Sequence, residues 1–153
     1  MNDILPKRGG LGYPLVLDSS VVISCFGQGD EYSEMSRRFF KEVASKLEAL
    51  LPTIVFVEVA VNLYLQKVPN VRRALGVISG FKQIALDSTF AWNCAKFAPS
   101  NRILRTSDFI IAVSARVNEA VLITWDKRLL DNVVCEAMTP SEFLKKTTKA
   151  STA

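Results

Sequence analysis

Four carboxylates, Asp18, Glu58, Asp108 and Asp126, each stand next to an apolar run in a chain of 153 residues that has no histidine. Without imidazole, Ser-His-Asp and Cys-His triads and His-ligated zinc are all excluded. Acid–base or metal chemistry therefore falls to carboxylates, lysine or tyrosine. The three cysteines, Cys25, Cys94 and Cys135, are isolated, odd in number and in apolar settings. They read as small buried hydrophobes, not as a disulfide framework or a zinc site. Carboxylates gathered at one place repel one another unless some stay protonated or a cation neutralises them. Hard oxygen donors favour Mg²⁺ or Mn²⁺ over softer metals. Such ions activate water and stabilise charge at an in-line phosphoryl centre. No G-x-x-x-x-G-K phosphate cradle is present, which argues against an ordinary NTPase.

The elements around these acids decide whether they can meet. Leu15–Leu17 reads as a strand that ends on Asp18, with Ser19 or Ser20 capping a helix over Val21–Phe26. Gly27–Asp30 is a loop. Glu31–Leu51 carries Met35, Phe39, Val43, Leu47 and Leu50 at helical spacing, and Pro52 stops it. Thr53–Phe56 is predicted as a second strand, followed by an apolar helix, Val57–Val68, with Glu58 in its first turn. Another helix runs through Ile78 to Gly80. Phe81–Leu86 is predicted as a third strand, and Asp87-Ser88 starts a helix to about Ala98. Asp108 opens a helix that runs to Asn118. Val121–Thr124 is predicted as a fourth strand, with Asp126 just after it, then a helical turn to Asp131 and a fifth strand at Val133–Glu136. Thr139-Pro140-Ser141-Glu142 is a capping box that opens the last helix.

Alternating strands and helices imply α/β architecture: three α/β/α layers around a parallel sheet of four to five strands. All four acids then fall on the carboxyl rim of that sheet, where open α/β folds bind ligands. Each acid also has a plain structural explanation. Asp18 and Asp108 could cap helices, Glu58 could complement a helix dipole, and Asp126 could be an ordinary turn acid. Their shared rim argues for something more. The expected organisation is a tail over 1–13, one domain over 14–145 and a polar tail over 146–153.

Nearly half the residues, 49%, are hydrophobic and 22% are charged, a globular balance. The formal net charge of +4 suits a polyanionic partner and equally a solvated basic face. Pro6 to Gly10 interrupt any signal-peptide core, and no apolar run reaches membrane-spanning length, so a cytoplasmic protein with no membrane association is expected.

At this point the residues resemble a known family. The blocks Leu17-Asp18-Ser19-Ser20, Phe56-Val57-Glu58-Val59-Ala60, Ser107-Asp108-Phe109-Ile110-Ile111-Ala112, and Leu122-Ile123-Thr124-Trp125-Asp126-Lys127-Arg128-Leu129 look like the PIN domain. In particular they look like the VapC-type toxins of toxin–antitoxin pairs. The acids are separated by 40, 50 and 18 residues, in the family's order. The resemblance covers about residues 14 to 145, and its last two blocks are the most specific. It implies a Mg²⁺- or Mn²⁺-dependent endoribonuclease with Asp18, Glu58, Asp108 and Asp126 as the acidic set. It places Thr124 where it would orient Asp126 or bound water, and Ser20 in support of Asp18. It also implies an RNA substrate, a small antitoxin partner and a homodimer. Arg105, Lys127 and Arg128 flank the acids in sequence and are candidates for holding the RNA backbone; Arg37, Arg38, Arg72 and Arg73 are further ones. Trp125 and Asp131 stand apart from the pattern, the first in a position usually smaller or basic, the second as a possible extra acid. Two other readings stand beside the toxin: an RNA-processing PIN nuclease without antitoxin, and a non-catalytic PIN-like module for RNA or protein. The second is disfavoured by the presence of all four acids. A haloacid-dehalogenase-type phosphatase would need Asp-x-Asp where the chain reads Asp18-Ser19-Ser20, and a response-regulator receiver would need an acidic pair there.

Overall fold

The computed structural model describes residues 14–44, 48–101 and 103–151. The predicted tail over 1–13 lies outside the described residues. A five-stranded, all-parallel sheet forms the middle layer. Its strands are β1 (Leu15–Leu17), β2 (Ala49–Pro52), β3 (Lys82–Ile84), β4 (Val121–Ile123) and β5 (Ala137–Met138), in spatial order β3-β2-β1-β4-β5. β1, β2 and β4 are buried along their whole length, as expected for parallel strands covered on both faces. β1 pairs with β4 through Leu15–Val121, Val16–Leu122 and Leu17–Ile123, and the Asp18 amide extends that ladder to the Ile123 carbonyl at 3.0 Å.

The covering helices are α1 (Ser19–Phe26), α2 (Ser33–Phe39), α3 (Thr53–Leu65), α4 (Val71–Ser79), α5 (Ser88–Phe97), α6 (Thr106–Val117), α7 (Lys127–Leu130) and α8 (Pro140–Ser151). A π turn, Phe40–Ala44, continues α2, and a 3-10 turn, Ala98–Ser100, continues α5. α2 packs on α1 and α8, α3 on α1 and α4, and α6 on α5, β1 and β4. The result is a three-layer α/β/α fold. The core joins the sheet (Val16, Leu51, Leu122) to Phe39, Leu63, Ile111 and Phe143 from the helices. Gly27 ends α1, donating to the Ile23 carbonyl at 2.7 Å; a Cβ there would lie 2.6 Å from that same oxygen, so glycine is required by close approach. The helix-opening box is present as read, with the Thr139 amide on Glu142 Oε2 at 2.8 Å and the Glu142 amide on Thr139 Oγ1 at 3.1 Å.

Several boundaries differ from what the sequence predicts. The helix expected over Glu31–Leu51 stops earlier, and Ala49–Pro52 is the second strand. The run Thr53–Phe56, expected to be that strand, is the first turn of α3. The fifth strand is Ala137–Met138 and not Val133–Glu136, because the Asn132 carboxamide oxygen accepts from the Val134 and Cys135 amides and folds that run into a turn. The last helix continues through Ser151, across the stretch expected to be a polar tail.

Candidate active site

The chain order places β2 and β3 on one side of β1, and β4 and β5 on the other. The gap between the ends of β1 and β4 is therefore a topological switch point, the place where open parallel sheets leave a crevice. Asp18 follows β1 directly, and Thr124, Trp125 and Asp126 follow β4.

Asp18 is buried, at 3% exposure, and Thr124 is fully buried beside it. Three donors converge on Asp18 Oδ2: the Ser20 hydroxyl at 2.6 Å, the Thr124 hydroxyl at 2.7 Å and the Ser20 amide at 3.3 Å. The Thr124 oxygen in turn accepts the Asp126 amide at 2.9 Å, and the Ser20 oxygen accepts the Trp125 amide at 3.0 Å. Ser20 and Thr124 thus stitch the loop after β4 to the end of β1. The sequence reading assigned both residues supporting roles. The structure adds that Thr124 spans both acids, through its hydroxyl to Asp18 and its oxygen to the backbone of Asp126.

Glu58 is not in the first turn of its helix. α3 begins at Thr53, so Glu58 is its sixth residue. Helix-dipole effects fade beyond the first turn, which removes the simple structural explanation for this acid. Burial raises the Glu58 pKa above its ordinary value, a hydrogen bond from Ser19 partly offsets this, and the charges of Asp18 and Asp108 raise it further. In sequence, Ser19 reads only as a possible cap. Its contact with Glu58 spans two separate elements and leaves no trace in local sequence. Asp108 does not cap α6 as its sequence position suggests: the helix starts at Thr106 with Arg105 at the N-cap, and Asp108 lies in the first turn, where it complements the helix dipole. Burial raises its pKa, Asp126 and Asp18 raise it further, and Arg128 and Arg105 pull it back. Asp18 is raised chiefly by burial, against the lowering pull of Ser20 and Thr124.

The four sequence-predicted acids therefore share one field. They also keep structural duties: Asp18 caps α1, and Asp126 caps α7 by accepting the Arg128 amide at 2.7 Å and the Leu129 amide at 3.4 Å. Capping and clustering are not alternatives here. Among the described residues, no three acids stand close enough to close a coordination shell by themselves. Coulombic coupling reaches further than coordination distance, so the two observations are compatible. The donor set is all hard oxygen, and its mutual repulsion raises carboxylate pKa values. Both are properties that a divalent cation fits.

Of the basic candidates, Arg105 and Arg128 act on Asp108, while Lys127 is exposed in the first turn of α7. Arg38 pairs with Glu42 at 2.9 Å on the surface, and Arg37 donates to the Cys25 carbonyl at 3.3 Å. Arg72 and Arg73 are exposed on α4. Asp131 ends α7 and lines a small cavity with Asn101, Leu104 and Val134. The cysteines are free and half-buried; burial pushes the thiols of Cys25 and Cys135 up to about 11 and about 12, as inert interior cysteines require. Of the aromatics, Phe39 and Phe109 are core, whereas Tyr64 and Trp92 are 61% and 79% exposed.

The PIN-domain family model matches residues 15–134, and the chain belongs to the PIN-domain family. No curated protein sequence matches it. Solved structures of similar fold include FitAcB from Neisseria gonorrhoeae, at 15% identity and TM-score 0.66, covering 83% of this chain and 98% of that one. Another is VapBC2 from Rickettsia felis bound to a DNA fragment from their promoter, at 12% identity and TM-score 0.63, covering 82% and 98%. A third is VapC20 from Mycobacterium tuberculosis, described as a sarcin-ricin-loop-cleaving toxin, at 14% identity and TM-score 0.62, covering 80% and 98%. At these identities the likeness is one of fold. No helix among the described residues is long and apolar enough to cross a membrane.

Proposed function

We propose that the chain is a metal-dependent endoribonuclease and the toxin of a type II toxin–antitoxin pair. The observation that carries this reading is the coupling of Asp18, Glu58, Asp108 and Asp126 at the switch point between β1 and β4. Family membership and VapC-type neighbours support a nuclease, and the complexes among those neighbours support an antitoxin partner.

Asp18, Glu58, Asp108 and Asp126 would hold Mg²⁺ or Mn²⁺. When bound, the ion supplies an activated water and charge neutralisation at the phosphoryl centre. The chain's own residues do the rest. Ser20 and Thr124 fix the orientation of Asp18 and set Asp126 relative to it. Ser19 holds Glu58 toward the same centre. Arg105 and Arg128 place positive charge beside Asp108, where an RNA backbone would lie, and Lys127 adds to it. Val57, Val61, Tyr64 and Leu65 form an exposed apolar stripe on α3, each more than half exposed. Such a contiguous exposed apolar stripe fits a homodimer. A monomer by light scattering at micromolar concentration would remove that part of the proposal.

Incubating total RNA with the purified protein tests the reading. Expected are discrete cleavages with Mg²⁺ or Mn²⁺, loss with EDTA, and loss in Asp18→Asn and Asp126→Asn at retained fold. Cleavage that persists in both variants refutes it.

A further inference from the structure

Trp125 sits between Thr124 and Asp126, and its side chain leaves the acid network altogether. Its indole N–H donates to Ser36 Oγ on α2 at 2.8 Å, and Ser36 is fully buried. Its backbone N–H is held by Ser20, the residue that also binds Asp18. Trp125 is thus fixed at its backbone and at its indole. Against it lies the Tyr32 ring, with centroids 4.5 Å apart and planes 19° from parallel. With one face covered in this way, Tyr32 still exposes 39% of its surface. The Tyr32 ring is therefore presented to solvent on a fixed backing, Trp125, which is the chain neighbour of Asp126. Trp125 and Asp126 have Cα atoms about 3.8 Å apart, so the stack is anchored on the same loop after β4 that carries the acid.

We propose that the Tyr32–Trp125 stack is a nucleobase subsite, on which a base of single-stranded RNA next to the cleaved phosphate stacks. This rests on the nuclease reading above. The charge around the stack favours a base over a phosphate. The Tyr32 hydroxyl is hydrogen-bonded to Glu31, and Asp30 lies next to it, so the platform's edge is acidic and repels the RNA backbone. Positive charge lies instead at Arg105 and Arg128, beside Asp108. The strand would run with its phosphates along the arginines and acids and a base turned onto Tyr32. Every base has a π face, so the contact is tolerant of sequence, and a pre-clamped platform loses little entropy on binding.

The test walks a single abasic nucleotide along a short single-stranded RNA oligomer containing a mapped cleavage site. Binding is measured to Asp108→Asn and to the same protein carrying Tyr32→Ala or Tyr32→Phe. One abasic position beside the cut should weaken binding about 5- to 150-fold in the parent and in Tyr32→Phe, and the penalty should vanish in Tyr32→Ala. An equal penalty in Tyr32→Ala, or no penalty anywhere, overturns the subsite. If Tyr32→Ala does not fold, Trp92→Phe leaves Trp125 as the only tryptophan. Its emission should then change with the intact oligomer and not with the abasic one; identical responses overturn the proposal. Cleavage of the unmodified oligomer by the wild type is scored separately, so loss of the subsite and loss of the nuclease reading give different results.

Discussion

Asp18 and Asp30 lie twelve residues apart, flank the same helix, and are held by serine hydroxyls in nearly the same way. Asp30 accepts from Ser24 at 2.7 Å, from the Tyr32 amide at 2.8 Å and from Ser33 at 3.2 Å. Slight burial raises its pKa, but these bonds outweigh it and hold the carboxyl below its ordinary value. Asp18 has the same kind of donors, yet burial dominates and its pKa is raised. One carboxylate is stabilised as a charge by its surroundings. The other is kept at a cost, among acids that share its discomfort. Hydrogen-bonded serines are thus no sign of a merely structural acid. What separates the two sites is burial and the company of other carboxylates.

Substitution should separate them most sharply in activity. Asp126→Asn or Asp18→Asn is expected to reduce RNA cleavage to background while leaving the melting temperature unchanged or a few degrees higher, read by gel assay and calorimetry. Asp30→Ala should do the reverse: it leaves the buried Ser24 and Ser33 hydroxyls short of an acceptor, should cost about 1–3 kcal/mol, and should leave cation-induced stabilisation in place. Next in size is Thr124→Val, which leaves buried Asp18 short of a donor and frees Asp126. It should lower activity or metal affinity about 10- to 100-fold and cost about 1–3 kcal/mol, read by metal titration and denaturant unfolding.

The smallest effect is on pH dependence, and its sign differs between the two sites. Asp18, Glu58 and Asp108 titrate above their ordinary values when folded, so the folded chain binds those protons more readily than the unfolded one. Their contribution to stability is full below about pH 4 and is lost as pH rises through the raised values. Asp30 is lowered, so its contribution is present above its ordinary pKa and is lost as pH falls through the folded value. Measured without metal, the melting temperature of Asp18→Asn relative to wild type should rise between pH 4 and 7. The penalty for Asp30→Ala should instead shrink as pH falls below 4. Matching signs would break the comparison.

The same contrast explains what could be read from sequence. β1, β4 and the start of α6 were legible because each couples an apolar run to an acid at its end. The β2–α3 boundary was not. Ala49-Leu50-Leu51 are good helix formers continuing a helical pattern, and they become a strand because the slot between β1 and β3 is buried on both faces. Thr53-Ile54-Val55-Phe56-Val57 is rich in β-branched residues and becomes helix because Pro52 ends the ladder and the chain must turn over the sheet. Local propensity lost to tertiary burial in both directions. The acids were legible as types and positions. The contacts that tie them together were not: Thr124 to Asp18 spans 106 residues, Trp125 to Ser36 spans 89, and Ser19 reaches Glu58 on another helix.

We propose that the four carboxylates form one cation-binding centre. Isothermal titration of the wild type with Mn²⁺, alongside Asp18→Asn and Asp30→Ala, tests it directly. Expected is saturable binding in the wild type and Asp30→Ala, and binding at least about tenfold weaker in Asp18→Asn. No binding heat in the wild type, or equal affinity in Asp18→Asn, would contradict it.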